Sequence, residues 1–284
     1  MPNHTDPVRV RKRTLFAKFF ADRGTHLAAM IAYFALLSFV PLTFLALALL
    51  GLTGRADESS FLVREIRRSL PGVPIIRVVD LVNTVRKDAA AIASIGGVVL
   101  LWTALSFFSV LESAVNIVYD RPNRSFVRGK LLAFVLMVGS LVTLFVALLA
   151  GSIGFAVLRE YVPGFGDRVV AYALSIAVSS AGVFGFLVSA YYVLTNADLH
   201  FRDVLPGAIF ATVVLEASFQ VLPIYVRYAH VSAALHVFGG TALLLVWLYV
   251  MANVIVFGAE LNWWVAQRRA EASAAPVEDV PGLA

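Results

Sequence analysis

One stretch near the end of the chain limits most strongly what this sequence can fold into. The 23 residues from Gly240 to Asn262 contain a single charged residue, Glu260. An α-helix rises about 1.5 Å per residue, so the stretch can cross about 30 Å of hydrocarbon. A carboxylate within such a helix is costly unless it faces other helices or a water-filled space. The stretch therefore predicts a membrane-spanning helix that packs within a bundle.

The composition indicates that this helix is one of several. Sixty per cent of the residues are hydrophobic and the mean hydropathy is +0.84, whereas an average soluble domain is about 45–50% apolar. The net charge of +5 is typical of Lys and Arg gathered beside lipid headgroups, and we expect no nucleic-acid partner. The absence of cysteine excludes disulfides and thiol chemistry. We therefore expect an all-α, polytopic membrane protein.

Six apolar segments are long enough to be spans. They cover about residues 27–52, 89–119, 131–158, 169–195, 204–225 and 236–266. They define one transmembrane domain over 27–266. A basic tail over 1–26 precedes it, and a tail over 267–284 with the composition of a disordered segment follows it.

The distribution of basic residues predicts the orientation of these spans. If the N-terminus is inside, the two tails and the second and fourth loops hold thirteen Lys and Arg, against three in the third and fifth loops. Short cytoplasmic loops carry an excess of such residues. The first loop holds seven more and is set aside as an interfacial segment. We therefore expect both termini in the cytoplasm.

That first loop, residues 53–88, has the pattern of two short amphipathic helices joined by a turn with two prolines. Such a hairpin can lie among the headgroups outside the membrane, where Arg64, Arg67 and Arg68 are candidate contacts to lipid phosphates. The alternative is a solvated connecting loop.

The first span contains a candidate hinge at Ser38 and Pro41. Proline removes one backbone donor and kinks a helix, which frees a carbonyl for another partner. The alternative is a kink that serves packing alone. Glycines and serines in the third and fourth spans, among them Gly139, Ser179 and Gly182, predict close helix contacts.

Three acidic residues within the spans each have an amide neighbour on the same helix: Glu112 with Asn116, Glu216 with Gln220, and Glu260 with Asn262. Ionisable groups inside a membrane often mark the path of a substrate, an ion or a proton. These six side chains are therefore candidates for a polar route between helices. The alternative is that they bond one helix to another. Glu216 is closest to the middle of its span, which favours a functional role there.

No pattern of catalytic residues accompanies these acids. The five histidines are scattered over tails and loops without the spacing of metal ligands. The sequence has no Walker motif, no serine elbow and no HExxH. We therefore expect no enzyme, no metal and no cofactor.

Four segments carry a resemblance to a known family: AYFALLSFVPL in the first span, LWTALSFFSVLESAVNIVYD in the second, FRDVLPGAIFATVVLE in the fifth and LLLVWLYVMANVIVFGAELN in the sixth. Over residues 15–266 the chain resembles the YihY/BrkB family of bacterial inner-membrane proteins, once labelled ribonuclease BN. The resemblance implies a helical fold, an inner-membrane location and a transport role that includes movement of lipid.

Together, these observations favour a translocator of a lipid or another envelope component along a polar route, with membrane lipids as partners. The alternative is a scaffold that docks an envelope protein without transport. The sequence assigns no oligomeric state.

Overall fold

The computed structural model describes residues 14–52, 89–161, 168–228 and 233–274. Its regular structure over these ranges consists of seven α-helices and no strand. The helices are α1 Leu15–Ala21, α2 Gly24–Leu52, α3 Ala89–Val118, α4 Phe126–Tyr161, α5 Arg168–Leu194, α6 Phe201–Tyr228 and α7 Ala233–Ala274. The predicted all-helical class is confirmed.

Five of the helices contain apolar stretches long enough to cross a membrane. These stretches are Gly97–Val118, Phe126–Thr143, Ile176–Leu194, Phe201–Val221 and Leu244–Glu271. Helix α2 has 29 residues, and Gly24–Phe39 is its apolar stretch among the residues whose side chains are described. A count of six spans therefore stays a prediction. The hairpin over 53–88, with Arg64, Arg67 and Arg68, lies outside the described residues.

Three helices include residues from the segments that the sequence predicts as tails. Helix α1 and the first residues of α2 lie within 1–26, and α7 continues past 266 as far as Ala274. Thr14 caps α1, with its hydroxyl accepting from the backbone N–H of Ala17. Lys18 and Phe19 on α1 are buried, so this helix is packed against the bundle.

Helix α2 packs against α3 and α7, α7 packs against α6, and α6 packs against α5, while α3 also touches α4, α5 and α7. Several helix ends meet at one end of the bundle. This region contains the starts of α2, α4 and α6, the ends of α3 and α5, and residues 258–269 of α7. We call this region the proximal end. Its apolar core includes Ile31, Leu111 and Leu187.

A close crossing of α6 and α7 fixes the proximal end. A Cβ atom added to Gly207 would lie 1.9 Å from the carbonyl oxygen of Gly258. Beside it, the buried Tyr191 of α5 donates its hydroxyl to the carbonyl of Ile255 at 2.7 Å. Small residues let helix backbones approach in this way. By contrast, Cβ atoms at Gly139 and Gly182 would meet nothing within 4 Å among the described residues, so the predicted close contacts at these glycines are not seen there.

The turn after α3 closes the same end. Asp120 has a φ of 52°, in the left-handed region, and the N–H of Arg121 bonds to the carbonyl of Asn116 at 2.8 Å. The N–H of Asp120 bonds to Ile117 at 3.1 Å. These two bonds form a Schellman cap, which satisfies the last carbonyls of α3. The chain then enters α4 after a short loop.

Helix α2 continues through Pro41, which is buried. The hydroxyl of Ser38 donates to the carbonyl of Phe34 at 2.9 Å, one turn back in the same helix. The proposed hinge at Ser38 and Pro41 stays a prediction.

Candidate functional site

The acid of the last helix, Glu260, lies at the proximal end with a side chain that is fully buried. Its Oε2 atom is 3.2 Å from Nζ of Lys18 on α1. Neither carboxylate oxygen accepts a hydrogen bond of good geometry from the described residues, so this ion pair is the principal contact of the carboxylate. The pair joins the first helix of the chain to the last.

Lys18 is itself only 4% exposed and has three further partners. Its ammonium group contacts the carboxylate of Asp22, and it donates to the carbonyl of Val118 at 2.8 Å. The same group lies 4.3 Å from the ring centroid of Trp263, a cation–π distance. A cation at the C-terminal end of α3 also complements the helix dipole. Lys18 therefore neutralises Glu260 and ties α1 to α3 and α7.

Asn262 makes the contact between α6 and α7 specific. Its Oδ1 atom accepts a hydrogen bond from the backbone N–H of Gly207 at 2.6 Å, and its side chain is fully buried. At the start of α6, Asp203 pairs with Arg269 of α7 at 3.3 Å. Asn262 thus contributes to the helix crossing.

Glu112 on α3 has a cationic partner as well. Arg124, in the loop before α4, lies with Nη1 at 3.3 Å from Oε1 of Glu112. The same guanidinium donates to the carbonyl of Leu194 at 2.7 Å and to that of Thr195 at 2.9 Å. Arg124 therefore caps the C-terminus of α5 while it neutralises a carboxylate that is 4% exposed.

Asn116, one turn after Glu112, joins two loops. Its Oδ1 accepts from the backbone N–H of Asn196 at 2.7 Å, and its Nδ2 donates to Asn123 at 3.2 Å. Asn196 in turn donates to the carbonyl of Pro122 at 2.9 Å. The loops that follow α3 and α5 are therefore held together through Asn116.

Glu216 has different surroundings. It lies nine residues after Gly207 on α6 and is therefore about 14 Å further along the helix axis from the crossing. Its side chain is 9% exposed, and among the described residues its carboxylate accepts one hydrogen bond, from Oγ of Ser179 on α5 at 3.4 Å. No Lys, Arg or His among the described residues pairs with it.

Thr212 lies one turn before Glu216 on the same face of α6. Its side chain is 8% exposed, and its hydroxyl has no hydrogen-bond partner among the described residues. Other hydroxyls in the helices bond to their own backbone one turn back, as Thr103 does to Val99 at 2.9 Å. The hydroxyl of Thr195 does the same with Tyr191. The hydroxyl of Thr212 is therefore still able to donate and accept hydrogen bonds.

The polar groups on this part of α6 adjoin its outer surface. Ile209 and Val213 on the neighbouring face are 54% and 62% exposed, and Ser179 on α5 is exposed as well. Gln220 is exposed one turn beyond Glu216. Ser179 and Glu216 therefore meet at the seam between α5 and α6, and Thr212 lies one turn away on the same face of α6 as Glu216. We call these three residues the seam site.

The structure brings together some predicted residues and separates others. Glu112 with Asn116, and Glu260 with Asn262, lie at the proximal end, whereas Glu216 lies deeper on another seam. The partners Lys18 and Arg124 were assigned only to basic flanks by the sequence. Among the described residues, no three His, Cys, Asp or Glu side chains come together as metal ligands.

The sequence matches the family described as Virulence factor BrkB over residues 15–281. One relative is the ribonuclease-like protein YfkH of Bacillus subtilis, which is 28% identical over 267 residues, covering 90% of this chain and 95% of the relative. A UPF0761 membrane protein of Azotobacter vinelandii is 28% identical and one of Psychrobacter is 24% identical, each over 88% of this chain.

The chain spans 61% and 47% of the length of these two UPF0761 relatives. No solved structure matches the sequence. The family match begins at the first residue of α1 and extends beyond the end of α7. With several helices long and apolar enough to cross a membrane, the chain belongs to the BrkB family of membrane proteins.

Proposed function

We propose that the protein translocates a lipid or another envelope component across the bacterial inner membrane, and that the seam site lies on the route. It is proposed as a transport protein and not as an enzyme. The observation that carries the proposal is the difference among the three acids of the spans. Glu112 and Glu260 each have a cationic partner, and Glu216 has none among the described residues.

A carboxylate at the centre of a span costs roughly 2.5–3.5 kcal/mol on insertion scales. Charge pairing offsets this cost for Glu112 and Glu260, which fits the alternative that these two acids hold helices together. For Glu216 the single hydroxyl at 3.4 Å is a weak compensation. A group that stays costly in the resting protein is best explained by an interaction made during function.

The position of Glu216 also supports a lateral route. Apolar side chains cover the outer face of α6 beside it, and this face would contact acyl chains. A polar headgroup that moves along the seam between α5 and α6 could keep its chains in the bilayer. The polar groups of the lipid headgroup would then form hydrogen bonds with the hydroxyls and the carboxylate of the seam site in place of water.

The orientation belongs to the proposal as well. We place both termini in the cytoplasm, which puts the proximal end and its basic residues at the cytoplasmic face. Single cysteines at Ser60 and Ser273 test this orientation with an impermeant thiol reagent in intact cells. Only the cysteine at position 60 should react, and the reverse result would overturn the orientation.

Translocation can be measured in proteoliposomes that contain phospholipids labelled with NBD on an acyl chain. Dithionite bleaches only the outer leaflet, so a translocator raises the bleached fraction above about one half. We expect the wild type to do so and Glu216→Gln to slow it. Gly139→Ala, at a position with open space around the added methyl group, is the control and should keep the wild-type rate.

If the wild type translocates none of the phospholipids tested, the proposal is overturned. That result would favour the alternative of a scaffold that docks an envelope protein. In that case a deletion strain should be complemented equally by the wild type and by Glu216→Gln.

A further inference from the structure

We propose that the seam site binds a primary ammonium group on the headgroup of the transported lipid. The inference rests on the proposed function, because it names the chemical class that the same site would select. The substrate class is thus an aminolipid, such as a phospholipid with an ethanolamine headgroup, in preference to a lipid with a purely anionic headgroup.

The first observation is the bonding capacity that the site leaves open. Among the described residues, the buried hydroxyl of Thr212 has no hydrogen-bond partner and Glu216 receives one bond, of 3.4 Å, from Ser179. Two hydroxyl oxygens and a carboxylate are therefore available as acceptors on two facing helices. A primary ammonium group has three N–H donors and no acceptor, so it matches this set of three side chains.

The second observation is the charge. At the proximal end, Lys18 and Arg124 supply built-in counter-charges to the buried acids. At the seam site no described side chain does so, and the carboxylate would be neutralised when a cationic group arrives. A phosphate or sugar carboxylate would instead meet Glu216 with a like charge, which is unfavourable at short range in a medium of low dielectric.

The third observation is access from the membrane. Val213 and Ile209 beside the site are more than half exposed, and Ser179 is exposed on the other side of the seam. A lipid can therefore approach with its acyl chains against α6. This access favours a lipid-borne cation over a free metal ion that must come from water.

The test compares three lipids in proteoliposomes, each with NBD on an acyl chain so that the headgroup is native. The headgroups are ethanolamine, choline and glycerol. We expect the wild type to move the ethanolamine lipid at least about tenfold faster than the glycerol lipid. The choline lipid should be slower than the ethanolamine lipid, because its quaternary nitrogen has no N–H donor.

Glu216→Gln should reduce the ethanolamine rate to that of the glycerol lipid, so that the ratio of the two rates falls from at least about tenfold to about one. Ser179→Ala and Thr212→Val should give partial losses of the same preference, so the test does not depend on one variant. Each variant is compared by thermal unfolding in detergent. A variant with an unchanged midpoint and a lost preference supports the assignment.

Equal rates for the three lipids in the wild type would overturn the ammonium site and leave translocation itself supported. The same is true if Glu216→Gln lowers all three rates in proportion. If the wild type moves none of them, the proposed function fails and the site assignment fails with it. A rate that requires sodium in place of potassium would reassign the site to a metal cation.

Discussion

The proximal end and the seam site place similar carboxylates in opposite circumstances. At the proximal end, Glu260 and Glu112 are bonded to cations that come from α1 and from the loop before α4. At the seam site, the hydroxyl of Ser179 is the only hydrogen-bond partner of the Glu216 carboxylate among the described residues. The partner of an acid within a span, and not the presence of the acid alone, therefore assigns it to structure or to function.

The largest effect is expected where a buried pair is broken. Lys18→Met leaves Glu260 fully buried without its cation, and we expect a loss of about 3–5 kcal/mol in the free energy of unfolding. The double variant Lys18→Met with Glu260→Leu removes both charges and should recover most of this loss. Unfolding of the single and double variants in detergent measures the coupling. If Lys18→Met is as stable as the wild type, the ion pair at the proximal end is not required for stability, and the proposed difference between the proximal end and the seam site is wrong.

Arg124→Met should be the next most damaging change. It leaves Glu112 without a cation and the carbonyls of Leu194 and Thr195 without their donor. We expect a loss of about 2–3 kcal/mol, because one side chain serves three acceptors. Arg124→Lys keeps the charge but not the planar fork, so it should restore only part of the stability. Full recovery by lysine would mean that charge alone acts there.

The helix crossing gives a smaller change. Gly207→Ala places a methyl group against the backbone of α7, and we expect a loss of about 1–3 kcal/mol. Gly182→Ala on α5 is the matched control, since its methyl group meets open space. It should be neutral or stabilise the protein by up to about 1 kcal/mol. Equal effects of the two substitutions on the unfolding midpoint would contradict the close crossing.

The smallest change in stability is expected at the seam site. Glu216→Leu removes a carboxylate that has no cationic partner among the described residues, so the free energy of unfolding should change by less than about 0.5 kcal/mol or rise. Translocation of the ethanolamine lipid should nevertheless fall to the rate of the glycerol lipid or below. Thermal unfolding and the bleaching assay on the same preparation test both statements. A destabilised Glu216→Leu protein beside a fully active Glu216→Gln protein would assign Glu216 to structure.

The helices were predictable from the sequence because a chain in hydrocarbon must satisfy its backbone hydrogen bonds within each helix. Long apolar runs such as Leu244–Glu271 therefore show where a helix lies. Helix α1 was missed because it has only seven residues and contains a lysine. Its burial depends on contacts with α7, and no local pattern reports such contacts.

The candidate acids were also found from the sequence, but their partners were not. Lys18 and Glu260 are separated by most of the chain, and periodicity along one helix carries no information about such a pair. Arg124 lies in the short loop that follows α3, 12 residues after Glu112, so their proximity could have been inferred from the turn. That the hydroxyl of Thr212 has no hydrogen-bond partner among the described residues can be seen only from the structure.

The pair between Lys18 and Glu260 has a consequence for biogenesis. A ribosome adds about 5–20 residues per second, so Glu260 is made roughly 10–50 s after Lys18. During that interval, α1 has no acid on α7 to meet, and α2 and α3 can already enter the bilayer. The N-terminal helix can dock fully only when the last helix arrives. Closure of the bundle at the proximal end is thereby coupled to the synthesis of α7.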